Sequence, residues 1–187
     1  LGTMDAARDL TQTPMFAWKA DKAGKRGVVW TAPYPSPLCG KWVISALAGV
    51  QQNGKLIAVV GAEVPASALQ EDVLTFPLGS GSLSWLMRND GVLLAAPAGA
   101  EVQLGLKPLA DADMPDAEQA GGKLLEAANI YIKGAEKLSA PLAAMQSSAE
   151  VAFEVVKFDG KNMYLVTAPV ENTDLKLGAL LHSPLAD

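Results

Sequence analysis

Between Trp30 and Leu69 the chain reads WTAPYPSPLCGKWVISALAGVQQNGKLIAVVGAEVPASAL. Two runs of mostly apolar residues, KWVISALAGV and KLIAVVGAEV, meet at Gln52-Asn53-Gly54. Asn-Gly supplies the positive φ angles of a tight hairpin, so the runs are expected to lie antiparallel, at about 41–50 and 55–64. VVWTAPY precedes them as a strand at about 27–34, with Trp30, Ala32 and Tyr34 on one face. Pro65 suits the first turn of a helix at about 65–75 that carries Leu69, Val73 and Leu74.

The second half repeats this punctuation. Leu83–Arg88 and Val92–Ala96 form a hairpin around Asn89-Asp90-Gly91. Residues 99–122 are rich in proline, glycine and acidic residues and read as loop. Lys123–Gln146 is helical, with Leu124, Leu125, Ala128, Ile132, Ala135 and Leu138 as its stripe. Gly134 and Pro141 are expected to break it into pieces. Strands at about 150–158, 162–170 and 175–182 close the pattern, the first two joined at Asp159-Gly160. Gly79-Ser80-Gly81 is a flexible joint, which divides the chain into units 1–78 and 79–187.

The 187 residues are half hydrophobic and 19% charged, enough to build a core. The formal net charge is −5, and the strongest basic cluster is Lys22–Arg26, so a nucleic-acid surface is not indicated. The single cysteine, Cys39, excludes an internal disulfide, and with the single histidine, His182, it cannot make a conventional zinc site. Ser45, Ser84, Ser147 and Ser148 lack a nucleophile-elbow context. The glycine pairs lack phosphate-loop spacing. Asp111, Asp113 and Asp116 fit a calcium loop poorly and read as a solvated loop. Apolar runs reach about nine residues, against the roughly 20 of a membrane helix, and no signal-peptide pattern opens the chain. No enzyme activity, metal or cofactor is expected.

The order W…Y, G-x-W-x-I-S, N-G-K-x-x-x-V-V-G and an acidic residue before a helix resembles the extracytoplasmic double Cache sensor domains. These are PAS-like ligand-binding modules of bacterial chemoreceptors, sensor kinases and cyclases. LSWLMRNDGVLLAAP resembles the opening hairpin of a second such unit, and FEVVKFDGKNMYLVTAPVENTDLKLGALLH its closing strands. The likeness runs from about Pro14 to Leu185. It implies an α+β fold of two PAS-like antiparallel sheets in tandem, a partial membrane-distal unit followed by a complete membrane-proximal one. The long leading helix and first two strands of the distal unit have no counterpart in this chain.

The resemblance also implies a site. In the family the distal unit binds small amino acids or related metabolites, with an R-x-W-Y-type segment, a tyrosine after W-T and an aspartate at the end of the last strand. Tyr34 matches the tyrosine, and Glu63 stands where the aspartate is expected. Thr13–Lys19 matches only in its aromatics, Phe16 and Trp18, and offers no arginine. A carboxylate ligand without a fixed cation is costly in a dry pocket, and Lys19 lacks the guanidinium fork. Phe16, Trp18, Trp30, Tyr34 and Glu63 instead suit a cationic or neutral small molecule through acidic and cation–π contacts. The expected function is a small-ligand sensor in the periplasmic or extracellular part of a transmembrane signal transducer. Its membrane helices would lie outside this sequence, and the full receptor would dimerise. The alternative is a ligand-free PAS-like dimerisation or interaction module whose aromatics only fill a core.

Overall fold

The structure, a computed structural model, describes residues 28–31, 33–36, 38–73, 78–79, 81–108, 126–171 and 173–182. Their packing divides them into two units. The first holds the described residues up to Tyr34 together with Val43–Val64, and the second holds Pro35–Trp42 and the residues from Pro65 onward.

The sheet of the first unit contains β1 (Val28–Trp30), β2 (Tyr34–Pro35), β3 (Trp42–Gln52) and β4 (Lys55–Pro65). All three of its partners are bonded to β3. Trp30 lies opposite Ala46 and Val28 opposite Ala48, antiparallel. The β3–β4 turn has Asn53 at φ 52° and Gly54 at φ 74°, the paired positive angles that an Asn-Gly hairpin requires. β3 is buried through Val43, Ile44, Ser45 and Leu47, and its far end is exposed. β4 is open on both faces, since Ile57 and Val60, of opposite parity, are 56% and 61% exposed.

In the second unit a helix, α1 (Ala66–Val73), rests against β6. The sheet comprises β5 (Leu83–Arg88), β6 (Leu93–Ala95), β7 (Ala152–Phe158), β8 (Lys161–Pro169) and β9 (Leu175–His182), in the order β6-β5-β9-β8-β7. Every neighbouring pair is antiparallel. Between β6 and β7 come the short helices α2 (Glu101–Leu104) and α3 (Ile130–Lys133) and the longer α4 (Glu136–Ala144). Strand, strand, helices and three strands make this an α+β, PAS-like unit.

Period-2 alternation sends Met163, Leu165 and Thr167 of β8 to the inner face, where Leu165 is fully buried. Trp85, Leu104, Ile130, Leu138 and Leu142 share the same core. Burying side chains of this size stabilises a fold by about 1.5–3 kcal/mol each. Gly178 stands directly opposite Trp85, and a Cβ there would run into the indole ring. The glycine therefore leaves the space that the tryptophan fills.

Four local readings are revised by the structure. The strand expected at 27–34 is two short pieces, because Thr31 turns its own side chain onto the ladder. Pro65 ends β4 instead of opening the helix. Gly134 does interrupt the helical region, but Pro141 lies inside α4, where Leu138 and Leu142 anchor the helix to the core across it. Ile132 is 61% exposed and Ile130 is buried in its place, because the helix starts afresh at Ile130 after the extended N-cap Asn129, which resets the phase of the stripe. Leu124, Leu125 and Asp111, Asp113 and Asp116 lie outside the described residues.

Candidate functional site

The first unit gathers its polar side chains where β2, β3 and β4 run together. Tyr34 is 5% exposed and Ser45 is wholly buried within an otherwise apolar strand. The Tyr34 hydroxyl donates to Glu63 Oε1 at 2.8 Å and lies 2.7 Å from Ser45 Oγ. A phenol has one hydrogen, so with that hydrogen on Glu63 the serine is the donor at the second contact. The result is a directed run of hydrogen bonds from Ser45 to Tyr34 to the half-buried carboxylate of Glu63.

Thr31 fixes the start of this run. Its N–H donates to the Ser45 carbonyl at 2.9 Å, and its Oγ1 accepts from the Ser45 N–H at 2.9 Å. A side-chain oxygen thus takes the place of a ladder carbonyl, which separates β1 from β2 and points Tyr34 inward. The local backbone irregularity and the placement of the tyrosine have one cause.

The structure therefore brings Tyr34 and Glu63 into contact across 29 residues of sequence. It places Trp30 half-buried on β1 opposite Ala46, which alternates with Ser45, so its side chain leaves the sheet on the face away from the Ser45–Tyr34 contact. The single face expected for Trp30 and Tyr34 is not formed, because the strand is interrupted between them. Phe16 and Trp18 lie outside the described residues. Ser45 and Thr31 escape the sequence reading, although a lone serine inside WVISALAGV is the signal that could have found the first. A hydroxyl buried in such a run needs a polar partner.

The second unit holds two further polar arrangements. The β5–β6 turn is tied to α3. Asn129 Nδ2 donates to the Asp90 carbonyl at 2.8 Å, Asn129 Oδ1 accepts from the Tyr131 N–H at 3.0 Å, and Ile130 N–H donates to the Gly91 carbonyl at 2.8 Å. Burial and, secondarily, the charge of Asp90 push the Tyr131 phenol up to about 12. Asp90 also pairs with Arg88 at 2.7 Å. Lys176, 3% exposed, sends its ammonium to the carbonyls of Met145, Gln146 and Ser148 at 3.1, 2.7 and 3.1 Å. Burial lowers its pKa below the ordinary lysine value.

Among the described residues no group of three or more His, Cys, Asp or Glu side chains could hold a metal ion. Cys39 is an exposed free thiol, and His182 ends β9, its backbone N–H donating to Ser82 Oγ. Among the described residues, no helix is long and apolar enough to cross a membrane.

No family model and no curated protein matches the chain by sequence. Solved structures do match. The ligand-binding domain of the Pseudomonas fluorescens chemoreceptor CtaA, in complex with L-isoleucine, aligns at a TM-score of 0.57 and 17% identity, over 96% of this chain and 61% of that one. The ligand-binding domain of the Pseudomonas aeruginosa amino acid chemoreceptor PctB, in complex with L-arginine, aligns at 0.55 and 18%, over 96% and 63%. The sensory domain of the Campylobacter jejuni chemoreceptor CcmL, with isoleucine bound, aligns at 0.50 and 14%, over 89% and 53%. An extracellular domain attributed to a histidine kinase also matches, at 0.54 and 13%. At these identities the likeness is one of fold. The chain has the PAS-like fold of extracytoplasmic sensor domains, and it spans about three fifths of the solved chains that it matches first.

Proposed function

We propose that this chain is the ligand-sensing region of a transmembrane signal transducer, a chemoreceptor, histidine kinase or cyclase, and that it works outside the cytoplasm without catalysing a reaction. In this reading residues 1–78 belong to a membrane-distal unit and residues 79–187 form the membrane-proximal one. The observation that carries the reading is the Tyr34–Glu63 pair, set into the sheet of a fold shared with receptor domains that hold amino acids.

The proposed ligand is small and rests on Tyr34 and Glu63, with either Phe16 or Trp18 as an aromatic wall. A half-buried carboxylate beside a tyrosine favours an ammonium group or a neutral donor. The matched receptors hold amino acids, whose carboxylates call for a cation. Here the Thr13–Lys19 segment has no arginine, so plain α-amino acids are expected to bind weakly. Calorimetry against a panel of amines, neutral metabolites and amino acids tests this. Binding of an amine that Glu63→Ala and Tyr34→Phe each weaken by at least about tenfold, roughly 1.4 kcal/mol, supports the reading. Tight binding of an amino acid that survives both substitutions places the ligand elsewhere. A ligand-free interaction module has one observation in its favour: the Tyr34 hydroxyl hydrogen is already committed to Glu63. It predicts no binding across the whole panel.

A further inference from the structure

The five-stranded sheet ends in β7, whose only strand neighbour among the described residues is β8. Sheet edges are ordinarily blunted by bulges, proline, shortness or charge. This one has no bulge or proline and only the opposite charges of Glu154 and Lys157: AFEVVKF runs in unbroken register from Ala152 opposite Thr167 to Phe158 opposite Lys161. Val151, Phe153 and Val155 are 66%, 69% and 57% exposed, and strand parity puts all three on the outer face. The Phe153 ring is held edge-on to Tyr164, with centroids 6.5 Å apart, so the exposed aromatic is braced.

We propose that β7 pairs antiparallel with β7 of a second copy of this chain, about a two-fold axis through Val155, joining two five-stranded sheets edge to edge. An axis perpendicular to the sheet keeps inner face with inner and outer with outer, so paired residues must share parity. Centring on Glu154 would set that carboxylate against its own copy, a like-charge contact. Centring on Val156 would set Phe153 against the turn residue Asp159 and Glu154 against Phe158.

Centring on Val155 sets Val155 against itself, Glu154 against Val156, and Phe153 against Lys157 twice over. Each lysine then lays its alkyl stem and ammonium on the partner's exposed ring. The strand carries one Glu and one Lys, so the two edges meet without net charge. Such a contact is self-complementary and closes at two copies. A single strand pair is smaller than the roughly 1,200–2,000 Å² of a stable interface, so the dimer should depend on concentration.

The test uses the full chain in a Cys39→Ser background under mild oxidation. Directly opposed residues have Cα atoms about 4.5–5.5 Å apart, within disulfide reach. Val155→Cys should therefore yield a disulfide dimer, as should the double variant Phe153→Cys with Lys157→Cys. Phe153→Cys alone should stay monomeric. Sedimentation should show a reversible dimer that Val155→Lys loses while its circular dichroism is unchanged. Equal cross-linking at 153 and 155, no cross-linking at either, or a monomer up to about 1 mM would overturn the proposal.

Discussion

Tyr34 has one hydroxyl hydrogen to serve its contacts with Ser45 and Glu63, and that limit decides what its removal does. In Tyr34→Phe, Ser45 loses its acceptor while fully buried, and Glu63 loses a donor. Leaving a buried polar group unpaired costs about 1–3 kcal/mol, so urea denaturation should show a loss in that range. Ser45→Ala removes only a donor, and its loss should be nearer 1 kcal/mol. If Tyr34→Phe is as stable as the parent, the chain of hydrogen bonds is not formed in solution. Tyr131 offers a second test. Its phenol titrates at about 12 when folded against 10.0 when free, so the unfolded chain gives up this proton first. Between those values the folded state binds more protons, and its contribution to stability falls as pH rises. Ultraviolet titration should show a phenolate midpoint near 12 that disappears in Tyr131→Phe and moves down in Asp90→Asn.

The turn where α4 leads into β7 is fastened to β9 by one ammonium. Three N–H donors meet three carbonyls just beyond the end of α4, where the helix dipole is negative. Lys176→Met would strand those carbonyls, and a loss of at least 1–3 kcal/mol is expected by chemical denaturation. Its pH dependence has the opposite sign to that of Tyr131. The folded-state pKa lies below 10.5, so in the window beneath 10.5 the unfolded chain holds more protons and the Lys176 contribution rises with pH. The difference between the parent and Lys176→Met, taken point by point, isolates it. None of this was legible in the sequence, because Lys176 and its carbonyls meet across about thirty residues. The hairpins were legible, since Asn53-Gly54 and Asp159-Gly160 state their positive φ angles locally. So were the last three strands, each within two residues of its expected ends. Pro141 misled for the converse reason: a local helix-breaking signal yielded to the burial of Leu138 and Leu142 around it. Motif order alone singled out Tyr34 and Glu63, which the structure joins by a hydrogen bond. Ser45 and Thr31 required the register between strands.

The two units differ in how well each buries its own apolar surface. The second closes a core around Trp85, Leu138, Leu142 and Leu165, all with 0% exposure. The described first unit leaves β4 open on both faces, with Ile57 and Val60 more than half exposed. Separate cores of unequal burial predict separate unfolding, the first unit at lower denaturant than the second. Hydrogen exchange followed by mass spectrometry should find β3 and β4 exchanging before β5, β8 and β9. Leu165→Ala should lower the second transition by about 2–5 kcal/mol and leave the first in place. A ligand held by Tyr34 and Glu63 should do the reverse, raising only the first transition, by about 2.7 kcal/mol at 100 times its Kd. That pairing of outcomes separates a binding site in the first unit from one in the second. A ligand that protects β5, β8 and β9 while leaving β3 and β4 unchanged would move the site out of the first unit altogether.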